Sequence, residues 1–320
     1  MSASVTIALD AMGGDHAPGV VLKGADIALV RYPGTRFLLF GDESRVAPLL
    51  AKLPRLAKAT TLQHTEEVVA DDAKPSVALR AARRSSMRLA IEAVAEGRAD
   101  GVVSAGNTGA LMAIAKFVLK TMPGIDRPAI ATFFPTRRGE SVMLDLGANI
   151  ECDADNLVQF ALMGDVFART ALGLVQPTVG LLNVGEEELK GNDAGTVDVV
   201  VTDGFTGNVA LKTAEGIAKL FSESLRASFR YSPLARIGYV FARGALKKLA
   251  ARLDTRRYNG AMFLGLGGIA VKSHGSTDAF GFANAISVAI DLKVNGFLEK
   301  IRDELAQLNK VPVAQQSAAL

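Results

Sequence analysis

The sequence predicts an α/β protein on a mainly parallel sheet, and three observations point there. Short apolar runs alternate with longer stretches of helical periodicity, the pattern of βαβ units. Hydrophobic residues make up 49% of the 320 residues, which suits strands buried on both faces. The 31 glycines collect at the ends of those strands, where the chain must turn tightly. A chain of this length buries a large core, as one α/β unit or as two intimately packed lobes.

The first strand, predicted at 5–10, is an apolar run that breaks into Leu9-Asp10-Ala11-Met12-Gly13-Gly14-Asp15. Gly13 and Gly14 can take positive φ and leave bare N–H groups, while Asp10 and Asp15 place two acids at the C-terminal end of a strand. Open α/β sheets bind ligands at that end. A tight βα turn with an aspartate cap is the plainer reading of the same residues. Helix 18–31, strand 36–41 and helix 76–97 follow by periodicity. Strand 100–104 ends in Ser104-Ala105-Gly106-Asn107-Thr108-Gly109, which opens helix 108–121. Hydroxyls, an amide and two glycines at a helix N-terminus form an anion cradle, and they also serve as caps.

Pro123 to Pro128 is a hard break between two halves. Beyond it come strands 129–134 and 141–146, the second ending in Asp145-Leu146-Gly147-Ala148-Asn149, and then helix 154–173. Strand 178–184, which contains Asn183, leads into the charged run Glu186 to Asn192 with Lys190, a compact cation suited to phosphate. Strand 197–202 ends in Asp203-Gly204-Phe205-Thr206-Gly207-Asn208, and helix 208–229 carries Lys212 one turn in. Polar, glycine-rich turns at four strand ends predict one shared polar crevice. The connection between strands 178–184 and 197–202 is only about a dozen residues, the minimum for a parallel crossover, and Gly191 to Gly195 is poor helix material.

Tyr231-Ser232-Pro233 breaks the chain before helix 234–253, so this pair of helices reads as a hairpin. Between Arg226 and Arg257 lie nine Lys/Arg and one acid, a net +8 against −5 for the rest of the chain. Leu234, Ile237, Phe241, Leu246, Leu249 and Leu253 recur at helical spacing among those cations. A basic amphipathic helix suits an anionic membrane surface or an acidic protein, and it also suits a packing or dimer helix.

Strand 260–266 runs into Gly265-Leu266-Gly267-Gly268-Ile269-Ala270, a loose dinucleotide pattern. His274-Gly275-Ser276 interrupts the helix that such a site requires. Lys272-Ser273-His274 is the better polar loop, with His274 able to relay a proton or to play a structural part. Helix 283–309 closes the fold before a frayed tail at 312–320. The three histidines are scattered and Cys152 stands alone, which leaves no metal set, no internal disulfide and no expected cofactor. No serine sits in a G-x-S-x-G elbow. No apolar run reaches about 18 residues, and no basic-then-apolar signal precedes the first strand, so a cytoplasmic protein is expected.

With these stretches in order, the chain resembles the phosphate acyltransferase family, the acyl-carrier-protein:phosphate acyltransferases of bacterial phospholipid synthesis. The likeness is carried by Asp10 to Pro18, Lys74-Pro75-Ser76, Ser85 to Arg88, Ser104 to Leu111, Asp145 to Asn149, Asn183 to Asn192, Asp203 to Lys212 and Gly265 to Gly275. It implies a three-layer sandwich with a mainly parallel sheet, like isopropylmalate dehydrogenases and phosphotransacetylases, with a protruding helical hairpin at 226–257. It implies transfer of a fatty acyl group from acyl-carrier protein to inorganic phosphate in a homodimer, without nicotinamide, metal or nucleic acid. The implied setting is the cytoplasmic face of an anionic membrane, with a membrane glycerol-3-phosphate acyltransferase as a further partner. Lys190 and Asn208 are implied active-site residues, Lys190 on phosphate and Asn208 on phosphate or the developing oxyanion. The chain departs from the family after Lys190-Gly191-Asn192, where relatives carry roughly 25–30 more residues, enough for a crossover. A coenzyme-A-dependent phosphate acyltransferase and a non-enzymatic membrane scaffold are the competing readings.

Overall fold

A computed structural model of the chain describes residues 4–136, 139–182, 197–252 and 254–308. Ten strands form one sheet in the order β3-β2-β1-β4-β10-β9-β5-β6-β8-β7. They are β1 Thr6–Asp10, β2 Arg36–Gly41, β3 Thr60–His64, β4 Gly101–Ser104, β5 Ala129–Thr136, β6 Gly139–Leu144, β7 Val179–Leu181, β8 Val199–Val201, β9 Ala261–Leu264 and β10 Ile269–Lys272. The helices are α1 Gly19–Arg31, α2 Glu43–Leu50, α3 Pro54–Lys58, α4 Pro75–Ala81, α5 Ser86–Ala95, α6 Thr108–Leu119, α7 Ala154–Ala171, α8 Gly204–Arg230, α9 Pro233–Arg252, α10 Ala279–Val294 and α11 Phe297–Leu308.

The strands are apolar on both faces, so helices must cover both. Ile7 and Leu9 of β1 enter one core and Ala8 the other; Val142 and Leu144 of β6 flank Met143 in the same alternation. One core is completed by α1, α3, α7, α10 and α11 through side chains such as Leu22, Leu56, Phe160, Phe282 and Phe297. The other is completed by α4, α5, α6 and the start of α8 through Ala78, Ile91, Ile114 and Leu211. This is the three-layer sandwich that the sequence predicts.

Strand direction changes inside the sheet. β3, β2, β1, β4 and β10 are mutually parallel. β9 is antiparallel to β10, β5 to β9, and β6 to β5, after which β8 and β7 follow β6 in parallel. Although β6 and β8 run opposite to β1, β4 and β10, the pairing places their ends level: Leu9, Val103, Val271, Met262, Ala131, Leu144 and Val201 lie in one row across the sheet. The four strand-end turns therefore leave one row of the sheet, those after β1 and β4 in one direction and those after β6 and β8 in the other.

Several boundaries differ from expectation for local reasons. Helix 76–97 is two helices, because Ser85 caps α5 by accepting from the Arg88 N–H. Helix 283–309 breaks at Gly296, whose φ of 66° suits glycine. The loose dinucleotide pattern is the turn of an antiparallel hairpin, with Gly265 at φ 84° and β10 following at once. Short α2, α3 and β3 between 43 and 64 were beyond the periodicity signal. β7 and β8 do pair as parallel neighbours, but the crossover residues 183–196 lie outside the described set.

α8 begins with Gly204 and Gly207 pressed onto the Asp145–Asn149 turn; a Cβ on Gly207 would run into the Asp145 carbonyl oxygen. Gly207→Ala should therefore lower the unfolding free energy by roughly 1–3 kcal/mol, read from the urea midpoint. An unchanged midpoint would mean that this turn has room to spare.

Candidate active site

Asp10 ends β1 fully buried, and four donors from three segments converge on its carboxylate. The Ser86 hydroxyl on α5 donates at 2.6 Å and the Ser104 hydroxyl at the end of β4 at 2.7 Å. The N–H groups of Met12, at 3.2 Å, and Gly13 complete the set. Burial pushes the Asp10 carboxyl above its usual range, against the pull of these hydrogen bonds. Gly13 lies so close that a Cβ there would sit 2.5 Å from Asp10 Oδ2 and 2.7 Å from the Gly106 N. Gly14 has φ 96°, and the Asp15 N–H donates to the Gly275 carbonyl, which ties the first turn to the loop after β10.

Much of the expected anion cradle is occupied internally. The Gly106 N–H donates to Ser104 Oγ, and Asn107 Oδ1 caps α6 by accepting from the Ala110 N–H. Asn107 Nδ2 donates to the carbonyls of Asp71 and Ala73, drawing the 70–75 loop over the helix start. Pro75 packs so tightly there that a Cβ on Gly109 would lie 2.8 Å from its Cγ. What stays open is the very start of α6: the N–H groups of Thr108 and Gly109 have no acceptor among the described residues. Free amides at the positive end of a helix dipole suit an oxyanion.

Lys272, the last residue of β10, lies at the same margin. Its Nζ donates to the carbonyls of Ala105, at 3.3 Å, and Ser273. Burial lowers its pKa from the usual 10.5 to about 8, opposed by the nearby charges of Asp10, Asp71 and Asp15 and reinforced by Lys212. His274 is exposed on the following loop, with Nδ1 facing the Ser276 hydroxyl at 3.0 Å and the backbone N–H held by Asn259.

The second cluster forms after β6 and β8, whose ends are level with that of β10 across the sheet. Asp145 is buried and accepts from the N–H groups of Ile130, Ala148 and Asn149 and from Asn149 Nδ2, at 2.7–3.1 Å. Asn149 Nδ2 also donates to the Pro128 carbonyl. Asp203 caps α8 through the Thr206 N–H and hydroxyl, and Gly204 packs on the Asn149 carbonyl. These four residues hold the α8 start in place by contacts among themselves.

α8 links the two clusters. It starts where β8 ends and runs back along the sheet, which brings Lys212 within electrostatic reach of Lys272. Asn208, one turn before Lys212, is exposed beside Gly147, and Lys212 pairs with Glu215 at 2.8 Å. The helix then continues past the sheet and packs against α9, with Phe229 and Tyr239 rings 5.5 Å apart. Lys190 and Asn183 lie outside the described residues. Sequence reasoning left Ser86 and Asp71 out of the site, although the Ser85-Ser86 pair, a cap followed by a hydroxyl aimed inward, carries the signal for the first. Among the described residues no group of acids, histidines and cysteine could hold a metal ion.

The depressed Lys272 pKa gives a signed prediction. Between about pH 8 and 10.5 the unfolded chain keeps a proton that the folded chain has lost, so folding stability gains as pH rises through that window. Relative to Lys272→Met, wild-type stability should climb there by on the order of 3 kcal/mol at most, measured by urea unfolding. A difference that does not change with pH would contradict a buried ammonium.

The model of the fatty acid synthesis protein family matches residues 5–194 and 193–300. The two pieces meet within the Asn192–Gly195 stretch where the crossover is short. A phosphate acyltransferase from Rhodospirillum centenum is 64% identical over 348 aligned residues, taking in 100% of this chain and 97% of that protein. One from Paramagnetospirillum magneticum is 56% identical over 347, covering 100% and 99%. Both alignments exceed the 320 residues here, so these relatives carry residues that this chain lacks. A phosphotransacetylase from Streptococcus pyogenes superposes with a TM-score of 0.60 at 15% identity, over 92% of this chain and 94% of that one. Another from Staphylococcus aureus gives 0.57 at 16%, over 92% and 95%, and at such identity the likeness is one of fold. This chain belongs to the fatty acid synthesis protein family, and relatives that match its whole length are phosphate acyltransferases.

Proposed function

We propose that this chain transfers a fatty acyl group from the thioester of an acyl-carrier protein to inorganic phosphate, releasing acyl phosphate and the free thiol. The observation that carries the reading is the likeness to phosphate acyltransferases along the whole chain. Phosphate is its own nucleophile, so the protein has only to position it and stabilise charge. The open amides of Thr108 and Gly109 supply one wall of a phosphate site, beside the turn of Gly13 and Gly14. Lys190, with Asn183 nearby in the sequence, supplies a cation to it, and Lys212 approaches from α8. Asn208 donates to the oxyanion that forms when phosphate attacks the thioester carbonyl. The Gly207 N–H is already given to the Asp203 carbonyl, which leaves the Asn208 side chain as that turn's donor.

Incubation with palmitoyl-carrier protein and phosphate should give acyl phosphate, trapped as the hydroxamate by hydroxylamine. Product only from the coenzyme A thioester would favour the coenzyme-A-dependent alternative, and no product from either would favour a scaffold. Lys190→Ala should raise the phosphate KM about 10- to 100-fold, the worth of a charge-assisted contact. Asn208→Ala should lower kcat by about 10²–10³ with the fold intact, the usual cost of an oxyanion donor. Unchanged phosphate kinetics in the first, or a pure KM effect in the second, would reassign that residue.

The hairpin of α8 and α9 is the proposed docking surface, for the acidic carrier protein and an anionic membrane in turn, in a homodimer. Leu234, Ile237, Val240 and Phe241 are 56–86% exposed in the single chain, amid the cations of the +8 segment. A long acyl chain changing hosts across water loses about 0.8 kcal/mol per exposed methylene, so a greasy surface on the protein that receives it has a use. Charge reversal at Arg243, Lys247 and Lys248 should weaken co-sedimentation with anionic vesicles, and salt should weaken the wild type likewise. Binding indifferent to both would leave α9 as a packing helix. Among the described residues, no helix is long and apolar enough to cross a membrane.

A further inference from the structure

We propose that Lys272 is the general acid that protonates the departing thiolate of the acyl donor, an assignment that rests on the acyl-transfer reading above. Its Nζ stands against the Ala105 carbonyl, three residues before the open amide of Thr108, so it borders the place proposed for phosphate. Three carboxylates lie within electrostatic range, Asp10 from β1, Asp15 from the β1–α1 turn and Asp71 from the loop before α4, with Lys212 facing from α8. Yet among the described residues Lys272 is in an ion pair with none of them, and its described acceptors are two neutral carbonyls. Asp10 cannot serve, because its oxygens are taken by Ser86, Ser104, Met12 and Gly13. An ammonium has three hydrogens and two carbonyls hold two of them, which leaves one to give.

A lysine kept only for structure would be expected to close on a carboxylate, since an unpaired buried charge is costly. Instead burial brings its pKa to about 8, next to the value of about 8.5 for an alkyl thiol. An acid matched in that way to its leaving group transfers the proton without a large uphill step.

The step balances as follows in atoms and charge. An oxygen of HPO₄²⁻ forms the new bond to the thioester carbonyl carbon, and the carbon–sulfur bond breaks with its electron pair going to sulfur. Lys272 Nζ gives a proton to that sulfur, yielding the carrier thiol. The acyl phosphate, which still holds the proton that phosphate brought, returns it to the lysine amine and leaves as the dianion.

The test compares two donors and two side chains. Decanoyl thioesters of N-acetylcysteamine, a poor leaving thiol, and of 4-nitrothiophenol, a good one, are assayed with phosphate by hydroxamate trapping. In the wild type, kcat/KM for the alkyl donor should fall as pH rises through about 8, and the aryl donor should show no such limb. Lys272→Arg keeps the charge but does not titrate in this range. It should lose about 10²–10⁴-fold on the alkyl donor, lose the basic limb and remain near wild type on the aryl donor. Equal losses on both donors, an unchanged limb in the variant, or a wild-type profile flat through that pH would overturn the assignment. The wild-type profile decides the matter even if the variant fails to fold. No acyl phosphate from the wild type with any thioester, the carrier-protein thioester included, would instead sink the acyl-transfer reading on which the assignment rests.

Discussion

A carboxylate without water must be given its hydrogen bonds by the protein, and Asp10 is where that requirement shapes this fold. Its donors come from the turn after β1, from the first residue of α5 and from the last residue of β4. Losing any one would leave part of a buried charge unsatisfied, at a cost larger than the bond itself is worth. The three segments are therefore held in register with one another. The glycines follow from the same convergence: Gly13 and Gly106 meet backbone to backbone, at a separation that leaves no space for a Cβ.

That knot places the start of α6. Once Ser104 is spoken for, Asn107 caps the helix and draws in the 70–75 loop, and the amides of Thr108 and Gly109 are left facing outward. Lys272 sits behind them because β10 pairs with β4 at Ser104. The second half repeats the device: Asp145 gathers Ile130, Ala148 and Asn149, and that turn seats the first residues of α8. Here the buried acid anchors the start of a helix. The helix is the means by which the second half reaches the first, since it runs back along the sheet to bring Lys212 near Lys272.

The alternation of apolar runs with helical periodicity was enough to place most strands and the longer helices, because each strand is buried on both faces and each long helix covers one. Turn chemistry was equally legible: Asp10, Ser104, Asp145 and Asp203 were read as ends of strands, and each is at or just beyond one. The short elements between 43 and 64 were not legible, because a helix of a turn or two carries no period to detect. Nor was the split at Ser85, where a cap competes with an apolar pattern that would otherwise continue.

What the sequence by itself determined is the inventory: two apolar cores' worth of strands, the acid-and-glycine turns, the basic segment from Arg226 to Arg257, and the family that these stretches resemble. What only the tertiary structure decided is which of those turns share a place. Strand direction and register are set by pairing between distant segments: the reversals at β9, β5 and β6 bring the ends of β6 and β8 level with those of β1 and β4, while the turns that follow leave that row in opposite directions. Hydrogen-bond partners are decided in the same way. Asn107, Ser104 and Asp203 have the chemistry of ligand-binding residues in the sequence, but in the fold their polar atoms also hold protein groups: the Asp71 and Ala73 carbonyls for Asn107, the Asp10 carboxylate for Ser104 and the Thr206 N–H and hydroxyl for Asp203. Lys272 shows the reverse: as a letter it is an ordinary cation, and only burial against two carbonyls, with no ion pair among the described residues, lowers its pKa to about 8.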